Sequence, residues 1–339
     1  MATLFKYALL LNFFIIISSN TTAQNNNTPK NLGIVLCGAE FGETQLPGTY
    51  NKDYTYPTYQ EVKYFASKGF STITLPFKWE RVQRKVGGSL DSIELLRMIQ
   101  FIALCDSAKI KVILTLQNFA VYNTSNEVCT LGSRNLKNDD YKDFWKKMAA
   151  ALNSCPNIYG FDIMNEPRGV FGNTWKKAAQ AAIDGIREVN TNTYIIVDGE
   201  NSSFSMDWAY DNNKLRKLND PSDKLIYDAH CYFDFNHSGR YNNYQDDNMT
   251  VDIGVKRVMP FVKWLKKHHK KGMIGEFGVP SDSKWLQSLD NFLSFVKENN
   301  LQANYWAAGP WWNNYPLSVE PENGKDKPQM KVLEKYLKE

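Results

Sequence analysis

The 339-residue chain is poor in the residues that build metal and redox centres. It has four histidines, His230, His237, His268 and His269, and they form no metal-binding constellation; no pair among its five cysteines has zinc spacing. Cys37, Cys105, Cys129, Cys155 and Cys231 are odd in number and far apart, in a chain long enough to build its own core. That excludes a disulfide framework, although one or two bridges stay open for an exported protein and at least one thiol is expected free and buried. No G-x-G-x-x-G follows an early strand, so the usual dinucleotide turn is missing. The charge imbalance is small, 40 basic against 36 acidic residues for a net +4, with both signs mixed, and no field points to nucleic acid. The densest basic run, 263–271, lies at helical spacing and reads as a solvated helix face. Beyond the N-terminus no apolar stretch is long enough to span a bilayer.

The N-terminus is a different matter. Lys6 precedes the apolar run Ala8 to Ile17, and small polar residues lead to a cleavage point after Ala23, so 1–23 reads as a secretory signal peptide. Residues 24–31 read as a disordered asparagine-rich lead, and 32–339 as one catalytic domain without an appended binding module. The mature chain is expected outside the cell or in the periplasm, with no membrane attachment, and as a monomer. Asn26, Asn123, Asn201, Asn236 and Asn248 head glycosylation sequons, which matter only in a cell that glycosylates exports.

Apolar runs of strand length recur at 33–38, 71–75, 111–116, 158–163, 193–197, 225–230, 272–275 and 302–306. Helical periodicity fills the gaps at 57–68, 91–108, 139–152, 174–189, 254–268 and 284–299, and again at 328–337. Eight alternations predict an α/β fold, a single (β/α)8 TIM barrel, with an open doubly wound sheet as the competitor. Two strands end alike. Ile158 to Met164 runs into Asn165-Glu166-Pro167, and Gly272 to Gly275 runs into Glu276-Phe277-Gly278. Carboxylates at the C-terminal ends of strands four and seven would face each other across a cleft, the arrangement that glycoside hydrolysis uses.

These motifs, with His230-Cys231-Tyr232 and the late Trp306, resemble glycoside hydrolase family 5, the cellulase family of the retaining clan. Gly38-Ala39-Glu40-Phe41-Gly42, Pro76-Phe77-Lys78-Trp79-Glu80-Arg81 and Tyr305 to Trp312 are similar to its secreted fungal and bacterial endo-β-1,4-glucanases. The resemblance implies Glu166 as general acid/base and Glu276 as nucleophile, with the acid's pKa raised by burial and by its partner's charge. It implies Asn165 on the sugar 2-hydroxyl, His230 facing substrate, Tyr232 holding the nucleophile and Trp306 as an aromatic floor. Trp311 and Trp312 either extend that floor or pack a loop. Neither metal nor organic cofactor is implied, and the partner is a β-linked polysaccharide or oligosaccharide.

Two positions depart from the family. Thr74 stands where an arginine usually reaches towards the nucleophile, and Gln117-Asn118 replaces His-Asn, leaving Gln117 and Asn118 as uncharged substrate contacts. Loss of the cation should raise the pKa of Glu276, at a cost on the order of 2–4 kcal/mol if the lost interaction is buried. The expectation is therefore a secreted retaining endo-β-1,4-glucanase. Its alternatives are the same mechanism on mannan, mixed-linkage glucan or xyloglucan, and a catalytically weakened glycan-binding homologue.

Overall fold

The computed structural model describes residues 32–124 and 126–337. The expected signal peptide and lead lie outside the described residues. Eight strands close on themselves: β1 (Leu32–Leu36), β2 (Thr72–Phe77), β3 (Lys111–Leu116), β4 (Ile158–Asp162), β5 (Tyr194–Asp198), β6 (Leu225–His230), β7 (Gly272–Phe277) and β8 (Gln302–Ala308). Every neighbouring pair of the eight is parallel, and β1 pairs with both β8 and β2, so the barrel itself has no open edge. Closure removes the doubly wound alternative.

The expected helices stand between the strands. They are α1 (Tyr59–Lys68), α2 (Ser92–Ser107), α3 (Asn138–Ala151), α4 (Thr174–Arg187), α5 (Ile253–His268), α6 (Ser283–Glu298) and α7 (Pro328–Leu337). Their starts are set locally: Thr58 and Glu61 form a reciprocal capping box on α1, and Asp91 and Asp282 cap α2 and α6. The β5–β6 connection departs from the pattern, with only a short turn of helix at Trp208–Asp211 and a 3₁₀ segment at Asn213–Lys217. A hairpin of Val121–Asn123 with Val128–Thr130 sits above β3.

Strand alternation divides the side chains between two environments. Along β6, Tyr227 and Ala229 pack outward in the large core under the helices, while Ile226 joins Ile113, Ile196 and Met273 in a small cluster within the barrel. Two residues further along the inward face of β6 come Asp228 and then His230, and both line the barrel cavity. Apolar residues thus close one end of the axis, and polar groups occupy the other.

All five cysteines are free, so no bridge contributes to this fold. No helix among the described residues is long and apolar enough to cross a membrane.

Candidate active site

The ladder of β4 stops at Asp162, and Glu166 lies four residues beyond it, its amide donating to Asp198 Oδ2 of β5 at 2.8 Å. Pro167 keeps Glu166 out of the right-handed helical region, and the residue is held at φ 43°. Glu276 arrives by another route. It lies within β7, not past its end, at a register shift where Ala229 pairs with Ile274 but His230 pairs with Glu276. The extra residue, Gly275, turns Glu276 to the cavity side, as β-bulges do. Gly275 has to be glycine, since a Cβ there would meet Asp228 Oδ2 at 2.0 Å.

His230 joins the two glutamates. Its Nδ1 is 3.0 Å from Glu166 Oε1 and 3.6 Å from Glu276 Oε2, and its Nε2 is 3.5 Å from Asp198 Oδ2. One carboxylate oxygen each from Glu166 and Glu276, together with a nitrogen of His230, lie within 4.8 Å of one another. Tyr232, two residues past the end of β6, donates its hydroxyl to Glu276 Oε2 at 2.7 Å.

The charges follow from these contacts. Burial opposes a charge on His230, but Glu276, Glu166 and Asp198 outweigh it and hold its pKa well above the ordinary value. An imidazole that keeps its proton has no lone pair to offer, which counts against metal binding by either acidic cluster around His230. Burial raises Glu276 to about 7, helped by the charge of Glu166 and opposed by His230 and Tyr232. Glu166 departs from expectation. Burial pushes it up, yet His230 and Arg168 more than compensate and its pKa is lowered. Arg168 Nη2 donates to Glu166 Oε2 while its Nε donates to Ser202 Oγ, and the guanidinium lies over the Phe119 ring. Before substrate arrives Glu166 is therefore held towards its ionised form by His230 and Arg168, and it has to gain a proton to act as the acid the resemblance implies.

A cleft of about 780 Å³ opens above the pair. Gln117, Asn165, Glu166, Tyr232, Glu276 and Trp306 all line it, and Trp306 Nε1 donates to Tyr315 Oη at 2.9 Å. Three expected contacts lie outside the cleft lining: His230 lines the barrel cavity beneath it, and Asn118 and Trp311 are elsewhere. Asn118 is 2% exposed and fully engaged, accepting from Trp79 N and donating to Glu80 Oε2 and Val121 O, so it braces a loop under the cleft. Trp311 is exposed and outside the lining, while Trp312 is packed between Phe41, Trp306 and Tyr315. Thr74 supplies only a hydroxyl, which accepts from Asn304 Nδ2 at 2.8 Å. Arg81 is buried against the backbone carbonyls of Ala39, Phe41 and Pro47, so it brings no charge to Glu276.

Arg168, Tyr315, Phe204 and Arg240 also form the cleft. Only Arg168 carried a signal in the sequence, its place two residues after Glu166.

The profile of Cellulase (glycosyl hydrolase family 5) matches residues 36–312. The chain belongs to this family. It is a glycoside hydrolase by that membership. Endo-beta-1,4-glucanase B of Emericella nidulans is 34% identical over 296 residues, 86% of each chain. Endoglucanase Cel5A of Pseudomonas stutzeri, solved in complex with cellobiose, superposes with a TM-score of 0.87 at 38% identity, covering 91% of this chain and 94% of that one. XacCel5A in complex with cellopentaose gives 0.85 at 33%, covering 91% and 99%.

Proposed function

We propose that this family 5 hydrolase is a secreted, retaining endo-β-1,4-glucanase with Glu166 as acid/base and Glu276 as nucleophile. The observation that carries the reading is the approach of the two carboxyl groups to within 4.8 Å at their nearest oxygens. Inverting enzymes keep theirs roughly 6.5–9.5 Å apart to admit a water, whereas retaining pairs stand at about 5–5.5 Å. An open cleft and relatives solved with cellobiose and cellopentaose support a β-1,4-glucan chain as substrate.

In the first step Glu276 attacks the anomeric carbon as Glu166 gives its proton to the departing glycosidic oxygen; the C–O bond breaks and a glycosyl ester forms on Glu276. In the second step Glu166 takes a proton from water, whose oxygen attacks the same carbon and frees Glu276. The resting electrostatics add a requirement. Glu166 must gain a proton, and the neighbour able to give one up is His230, whose Nδ1 lies 3.0 Å from it, since the Arg168 guanidinium keeps its protons. A glucan chain entering the cleft would exclude water from Glu166 and compete for Arg168, and both effects raise the carboxyl's pKa. His230 can then pass its proton to Glu166 while Tyr232 holds Glu276 ionised. Asn165 Nδ2 is buried with no hydrogen-bond partner among the described residues, which suits a donor to the sugar 2-hydroxyl.

The test is reducing-sugar release from carboxymethylcellulose, lichenan and galactomannan by the mature protein and by Glu276→Gln, across pH 4 to 8. Release from the glucans that disappears in the variant bears the reading out. Equal inertness with retained cello-oligosaccharide binding would show a glycan-binding homologue instead.

A further inference from the structure

Asp198, the last residue of β5, holds the proposed acid from two sides. Its Oδ2 accepts from the Glu166 amide at 2.8 Å and faces His230 Nε2 at 3.5 Å, while Nδ1 of the same imidazole is 3.0 Å from Glu166 Oε1. The amide has no other acceptor among the described residues. Glu166 stands at φ 43°, a left-handed conformation that a side-chain-bearing residue keeps only where its surroundings impose it. Asp198 is itself fixed in place. It is fully buried, its carbonyl accepts from Trp175 Nε1 at 2.8 Å, and it stands opposite Asp228 in the β5–β6 ladder. Burial, and then Asp162, push its carboxyl well above the ordinary range, towards the neutral form. Oδ2 is taken as an acceptor, which leaves Oδ1, without a hydrogen-bond partner among the described residues, to carry that proton.

We propose that Asp198 is the positioning residue of the acid/base: it fixes the Glu166 backbone and orients His230, and so sets where the Glu166 carboxyl meets the glycosidic oxygen. The proposal rests on Glu166 being the acid/base. What the role asks of Asp198 is an oxygen that accepts, and no charge. Asp198 lies outside the cleft lining, so its loss should spare glucan binding and fall on proton transfer. A sugar leaving group departs only with a proton, whereas dinitrophenolate departs as a stable anion and needs none.

The test compares kcat/KM of the full mature chain on cellopentaose and on dinitrophenyl β-cellobioside, for the parent protein, Glu166→Ala, Asp198→Ala and Asp198→Asn. Asp198→Ala should lose about a hundredfold on cellopentaose, the cost of a misplaced catalytic group, and no more than about threefold on the dinitrophenyl substrate, with KM for cellopentaose also within about threefold. Asp198→Asn keeps an oxygen for the Glu166 amide and is neutral at every pH. It should return to within about fivefold of the parent on cellopentaose, with the alkaline limb of the pH profile unmoved. An equal fall on both substrates in Asp198→Ala, no fall on cellopentaose, or Asp198→Asn as slow as Asp198→Ala overturns the inference. Glu166→Ala separates the two failures. If it shows the same split between substrates, the acid/base reading stands whatever Asp198 does; if it shows none, or the parent is inert, that reading fails and the positioning role with it. Should Asp198→Ala not fold, Asp198→Leu fills the same space without an oxygen and takes its place.

Discussion

Tyr232 Oη lies 2.7 Å from Glu276 Oε2, a charge-assisted hydrogen bond to a carboxyl group that burial has raised to about 7. The bond favours the ionised form, the one that attacks. Tyr232→Phe should lower kcat/KM by about ten- to a hundredfold, the worth of a hydrogen bond to a charged group, and should move the acidic limb of the pH profile upward. Steady-state kinetics of the two proteins from pH 4 to 9 measure both effects. An unchanged acidic limb would count against Glu276 as the group that must ionise.

Glu166 is held below its ordinary pKa by His230 and then Arg168, and the Arg168 side chain is 57% exposed. Arg168→Ala should therefore raise the pKa of Glu166 and carry the alkaline limb of activity upward, since the acid keeps its proton to higher pH. The guanidinium is half in solvent and the buried Glu166 keeps its contact with His230, so stability should change by no more than about 1 kcal/mol. The pH–rate profile checks the first outcome and urea unfolding the second.

The pKa of Glu276 is raised from 4.5 to about 7 on folding. Between those values the native state binds more protons than the unfolded chain, so the contribution of Glu276 to stability is complete below pH 4.5 and is lost as pH rises through 7. Glu276→Gln removes the titration. Denaturant unfolding from pH 4 to 8 should show the variant gaining on the parent protein with rising pH, by on the order of 3 kcal/mol across that window. Asp162, also raised to about 7 by burial, keeps some of the same slope in both proteins.

Asn118 serves the fold. Its side chain accepts from Trp79 N at 2.8 Å and donates to Glu80 Oε2 at 2.8 Å. Asn118→Ala leaves both buried groups short of a partner and should destabilise by about 2–4 kcal/mol. Since the side chain does not reach the cleft, KM at a temperature where the variant is folded should stay close to that of the parent.

Much of the architecture was legible because periodicity is local. All eight barrel strands and seven helices fall where the apolar pattern places them, within a few residues at their ends. The glutamates were legible for a related reason, as each follows an apolar run that a loop or glycine breaks. Misreadings gathered in the loops. Asn118 and Trp311 look like sugar contacts by type, but only packing shows one spent on Trp79 and Glu80 and the other exposed outside the cleft lining. Tyr315 and Arg240 come to the cleft from long connections whose course no short-range pattern sets.

The sequence by itself determined the eightfold alternation of strand and helix and the presence of two carboxylates near the ends of strands four and seven, since residue order and periodicity suffice for both; that the sheet closes was decided by the pairing of β1 with β8. Only the tertiary structure decided how those carboxylates are charged. A one-residue bulge at Gly275 turns Glu276 towards His230, and Arg168 folds back onto Glu166. A pKa depends on burial and on charges a few ångströms away in space, brought together from β4, β5, β6 and β7. Distance along the chain carries no record of that.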